Sequence, residues 1–122
     1  MANSFVHVEL NTSDVAKAKS FYGALFNWKL EDMPMDGGDI YTMIDPGGGT
    51  GGGMMKHPMP GAPSAWLAYV SVDDVRASTQ KAVELGATLI RDVTEIPDYG
   101  SFSIFQDPTG AVLALWQGRG NE

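Results

Sequence analysis

His7-Val8-Glu9-Leu10-Asn11-Thr12-Ser13-Asp14-Val15 is read again, sixty positions later, as Leu67-Ala68-Tyr69-Val70-Ser71-Val72-Asp73-Asp74-Val75. Both stretches alternate with a period of two and then run into an Asp-Val helix start, so each predicts a strand followed by a helix. A second shared mark closes each half: Asp45-Pro46-Gly47-Gly48 against Asp107-Pro108-Thr109-Gly110. A fixed internal period means one supersecondary unit used twice. Any site built in one copy can therefore be checked against its mate.

Phe5, His7 and Glu9 face one way along the first strand, and Val6, Val8 and Leu10 face the other. The aliphatic set is expected under a helix, and the mixed set lines a cavity. Thr12-Ser13-Asp14 offers N-cap candidates. Val15, Ala18, Phe21, Tyr22 and Leu25 form one helical stripe, and Asn27 is the expected left-handed cap. Trp28-Lys29-Leu30 starts a strand, Asp36-Gly37-Gly38 makes a turn, Ile40 to Ile44 is a strand, and Met54-Met55 forms a thin one. The second half repeats the order: a strand over 66–72, a helix from Asp73 or Asp74 through Leu85 to Gly86, and strands over 87–93, 102–105 and 112–117. Each copy reads β-α-β-β-β. The fold class is α+β: two such modules, at about 4–56 and 65–117 with a Pro/Gly connector at 57–64, curl into an open cup-shaped barrel with the helices outside. All 122 residues make one domain.

Composition narrows the function. A net charge of −7 argues against nucleic acid, which requires a basic face. It suits a neutral or cationic small molecule. With no cysteine there is no disulfide, thiolate nucleophile or Cys-based metal site. No leader and no membrane-length apolar run are visible, so a cytoplasmic protein without a membrane partner is expected. The glycine-dense run 45–53 lacks the Lys-Ser/Thr of a phosphate cradle and reads as a hairpin turn. No nucleophile elbow accompanies a Ser-His-Asp set.

These marks resemble the vicinal oxygen chelate superfamily of glyoxalases, bleomycin resistance proteins and extradiol dioxygenases. They are His7 through Asp14, Ser20-Phe21-Tyr22 with Leu25-Phe26-Asn27-Trp28, Val70 through Val75, Glu84-Leu85-Gly86-Ala87 and Asp107-Pro108-Thr109-Gly110. The closest flavour is the small bacterial members whose first helix ends in Leu-Phe-Gly-Trp; Asn27 stands here for that glycine. The resemblance implies a homodimer, with each cleft formed within a chain or from two chains. It also implies four metal-ligand positions, on the first and last strand of each module: His7, a residue near Gly52, Leu67 and Ala114. Only His7 can ligate. Glu9 could assist, with Asp39 or Glu95 from loops, but one strand cannot supply a facial triad. No metal and no other cofactor is expected.

What remains is a cleft lined by His7, Glu9, Tyr41, Met43, Met54, Tyr69, Ser103, Phe105 and Trp116, which suits an aromatic or cationic small molecule. Glu9 and its symmetry mate Tyr69 both point inward. His7 and Glu9 read either as a general acid-base couple or as a former ligand position now simply hydrogen-bonded. The leading function is metal-free binding of such a molecule. The alternative is a lyase, isomerase or oxygenase acting on a small metabolite through His7 and Glu9 or an atypical metal site. A vestigial cleft in a structural dimer is a third reading. His57 is expected in solvent, and Asp98-Tyr99-Gly100 is either a lid or a plain loop.

Overall fold

The computed structural model describes residues 3–35, 38–59 and 61–119. Part of the expected 36–38 turn and Pro60 of the connector lie outside them. The chain forms two compact units, 7–67 and 68–122 with 1–6, here called the first and second modules.

The elements run β1 (Phe5–Thr12), α1 (Val15–Leu25), β2 (Lys29–Pro34), β3 (Ile40–Asp45), β4 (Gly52–Lys56), β5 (Ala65–Ser71), α2 (Val75–Glu84), β6 (Thr88–Ile96), β7 (Gly100–Gln106) and β8 (Val112–Gly118). In the first module the sheet order is β2-β3-β4-β1, with β4 parallel to β1 and the other pairs antiparallel. The second has the matching order β6-β7-β8-β5, with β8 parallel to β5. The repeated β-α-β-β-β plan is therefore present in both.

Both helices begin as expected. The Asp14 carboxylate accepts from the Lys17 amide at 3.0 Å, and Asp74 accepts from the Arg76 and Ala77 amides at 3.1 Å. Gly86 takes φ +109 after α2, a conformation that favours glycine. The first helix ends otherwise than expected. Phe26 caps it in extended backbone, and Asn27 does not enter the left-handed region.

Alternation then sorts each sheet into two faces. Leu10, Ile44 and Met54 form the first core, with Val15, Ala18, Tyr22, Trp28 and Leu30 packed on them. Val72, Val75 and Leu115 form the second, with Val70, Val93 and Phe105. Of the stripe expected on α1, Phe21 and Leu25 are instead exposed, at 59% and 57%. They lie to one side of the arc through Val15, Ala18 and Tyr22 that meets the sheet. His57, expected in solvent, is half-buried; its Nδ1 accepts from the Met59 amide at 3.1 Å and stiffens the start of the connector. Pro97–Tyr99 is a short hairpin turn with Asp98 at φ +72, and Asp98 pairs with Arg119 at 2.8 Å.

Candidate functional site

The sheet face of the first module that turns away from α1 carries a continuous polar chain. His7 and Glu9 are two apart on β1, hence on one face, and Gly53 of β4 pairs with both Glu9 and Met43. Tyr41, two before Met43 on β3, reaches back across Gly53. Its hydroxyl donates to Glu9 Oε1 at 2.9 Å and lies 2.7 Å from His7 Nε2. The His7 and Tyr41 rings lie 29° apart in plane.

The Tyr41 proton sets the direction of one bond in this chain. A phenol has one proton, and Tyr41 gives it to a carboxylate that can only accept. The direction of the His7 contact follows the imidazole tautomer, and the form with its proton on Nε2 donates to the Tyr41 oxygen. Burial also lowers the His7 pKa, because desolvation disfavours the imidazolium. His7 is thus a neutral imidazole at neutral pH, backed through a phenol by a buried carboxylate (Glu9 is 7% exposed). Such an array accepts hydrogen bonds and positive charge readily, and it can relay a proton.

In the second module Tyr69 pairs with Ala114, and Ala114 with Ile104, as Glu9 pairs with Gly53 and Gly53 with Met43. Phe102, two before Ile104, therefore stands where Tyr41 stands. The equivalent face holds Tyr69, Phe102, Ile104, Ala114 and Trp116, with the Tyr69 and Phe102 rings 6.3 Å apart. Arg91 lies over the Phe102 ring at 5.5 Å.

Of the residues expected to line a cleft, His7, Glu9 and Tyr41 are brought into one hydrogen-bonded chain, and Met43 shares their face. Tyr69 and Trp116 share a face in the second module. Three others fall on the helix side. Met54, fully buried, pairs with Leu10 and Thr42 in the first core. The Ser103 hydroxyl lies 2.7 Å from that of Thr79 on α2, and Phe105 packs on the second core. Strand parity explains all three, since a shift of one residue moves a side chain to the opposite face. Gly53 and Phe102 were missed, although their register opposite Glu9 and beside Tyr69 would have identified them.

The family resemblance implies a metal, so the donors can be tested against one. The register places Gly53, rather than Gly52, as the counterpart of Ala114, and neither has a donor side chain. Leu67 has none either. Among the described residues no three His, Cys, Asp or Glu side chains come together. The residues present do not fit a transition-metal centre. Two concavities in the second module, of about 270 Å³ beside Glu95, Asp98 and Arg119 and about 460 Å³ between α2 and β6, include none of the His7–Tyr41–Glu9 chain.

Residues 4–115 match the model of the Glyoxalase/Bleomycin resistance protein/Dioxygenase superfamily, and the chain belongs to that family. It is 39% identical over 115 residues to the protein named "Putative glyoxylase CFP32" of Mycobacterium bovis, covering 90% of this chain and 44% of that one. It is 26% identical to the anthracycline biosynthesis protein DnrV of Streptomyces peucetius, covering 89% and 45%. This chain thus spans less than half the length of these two curated relatives. Among solved structures, methylmalonyl-CoA epimerase from Mycobacterium tuberculosis superposes with a TM-score of 0.70 at 14% identity, over 97% of this chain and 92% of that one. At that identity the likeness is one of fold.

Proposed function

We propose that this chain binds a small organic molecule, aromatic or cationic and rich in hydrogen-bond donors, with the His7–Tyr41–Glu9 chain as its polar anchor and no metal ion. The observation that supports this most is the buried Glu9 carboxylate held by a phenol. A buried carboxylate that accepts from a phenol is a strong acceptor, and it favours a ligand that brings protons or positive charge. The thioether of Met43 and the Tyr41 ring offer polarizable surface beside it. Two relatives are named for anthracycline biosynthesis, so a planar aromatic ammonium compound of that class is a fitting probe. Isothermal titration should give one saturable site, weakened in Glu9→Gln. A panel of aromatic amines with no heat of binding would sink this reading. As part of the same proposal the protein is a cytoplasmic homodimer, which sedimentation and fractionation would test.

A second reading is favoured by the hydrogen-bond direction. A neutral His7 backed by a phenol-carboxylate relay is a competent proton acceptor, so the site would serve a lyase or isomerase working on an activated carbonyl compound. Exchange of carbon-bound protons into D₂O, followed by proton NMR and lost in His7→Gln, is its test. Wild-type exchange no faster than buffer would remove it.

A further inference from the structure

The polar chain depends on a side chain that is missing. Gly53 sits mid-strand, and its φ is not positive, so its backbone would admit other residues. What excludes them is Tyr41. A Cβ at position 53 would fall 2.2 Å from the Tyr41 Cε1 and hydroxyl and 2.3 Å from Cζ. The phenol ring lies directly on bare backbone, where the second module carries Ala114 and a phenylalanine, Phe102.

The geometry points to Gly53 as the residue that decides what this site can hold. By seating Tyr41, it commits His7 Nε2 to donating a hydrogen bond and so closes that nitrogen to cations. A ring nitrogen that carries a proton has no in-plane lone pair for a metal. The tyrosine hydroxyl occupies the space between His7 and Glu9, the two donors that a cation there would have to join. Gly53 and Tyr41 thus act as a positioning pair that turns the site toward hydrogen-bonding organic ligands and away from divalent ions. This inference rests on reading His7, Tyr41 and Glu9 as the binding site. Its test requires no organic ligand, so a failure of the probe panel and a failure here are distinguishable.

The experiment is a double-mutant cycle read by ¹⁵N NMR of the histidine ring, with Ni²⁺ as the metal probe. In the wild type, His7 should show a protonated Nε2 that Ni²⁺ leaves unchanged. Gly53→Ala should displace Tyr41 and shift or abolish the Nε2–H signal. In a Tyr41→Ala background the same added methyl should leave the His7 spectrum unchanged, because the three nearest atoms all belong to Tyr41. Tyr41→Phe, which keeps the ring but releases Nε2 from the phenol, should let Ni²⁺ associate with His7 more tightly than in the wild type. The inference is overturned if wild-type His7 carries its proton on Nδ1 or takes up stoichiometric Ni²⁺. It is equally overturned if Gly53→Ala perturbs His7 as much without Tyr41 as with it.

Discussion

The two modules share a plan and differ in what they place on the same strand positions. The first has His7, Glu9, Tyr41 and Gly53; their counterparts are Leu67 on β5 and, in the second module, Tyr69, Phe102 and Ala114. The exchange from Tyr41 to Phe102 removes one oxygen, and that from Glu9 to Tyr69 removes a carboxylate. The second module keeps its buried polar pair, Thr79 and Ser103, on the helix side, where it ties α2 to β7. A duplicated fold can thus give the hydrogen-bonding chemistry to one copy and ordinary packing to the other. The backbone need not change for this, because sheet register is set by the main chain and the face is populated residue by residue.

The largest test of this contrast is in the cores. Met54→Ala removes a fully buried side chain between Leu10 and Ile44 and should cost about 3 kcal/mol. Urea unfolding by far-ultraviolet circular dichroism measures it, and a loss under 1 kcal/mol would mean that the first core is not packed as described. Next comes the direct conversion of one module's chemistry toward the other's. Tyr41→Phe makes position 41 resemble Phe102 and withdraws a hydrogen bond from a buried carboxylate, at about 1–2 kcal/mol. The mirror change, Phe102→Tyr, should create no such chain, since Leu67 and Tyr69 offer no imidazole or carboxylate. Equal effects from the two changes would erase the distinction.

A smaller effect follows from His7. Its folded pKa is lowered by burial, so the unfolded chain binds the proton more tightly. Stability contributed by neutral His7 is therefore complete above the ordinary imidazole value of about 6.5 and is lost as pH falls from there toward the lowered folded pKa. His7→Gln should flatten that part of the stability-against-pH curve, and an unchanged slope would contradict the assignment. The smallest effect is at the surface. Lys19 holds the Asp32 carboxyl below the usual carboxylate range, with help from Thr42. In Lys19→Gln the Asp32 carbon resonance should titrate at higher pH while global stability stays almost constant, as expected for an exposed pair.

Much of this was legible in the chain. The repeat, both aspartate caps and the alternation of His7 and Glu9 against Leu10 follow from local pattern and hold in the structure. The site was legible only in part, and the reason is a single residue. Sixty positions separate His7 from Leu67 and Glu9 from Tyr69, but sixty-one separate Tyr41 from Phe102 and Gly53 from Ala114. The extra residue of the second module falls before β7. A constant period of sixty carried past that point pairs Met43 with Ser103 and lands on the wrong face. Met54 and Phe105 fail similarly, because a thioether or a phenyl ring is equally at home under a helix. The seat at Gly53 left no trace in local propensity, since the need for glycine comes from a ring twelve residues away in sequence.

The aromatic end of the first module has a consequence of another kind. Trp28 and Trp66 lie 6.4 Å apart at an interplanar angle of 80°, with Tyr22 within 5.7 Å of both. Two indoles so close and so inclined couple their electronic transitions, and the coupled pair gives a signed doublet in the optical activity. Trp116, on β8 of the other module, has no indole neighbour within its own unit to couple with. The first module therefore carries a built-in chromophore pair whose doublet vanishes when that half alone comes apart.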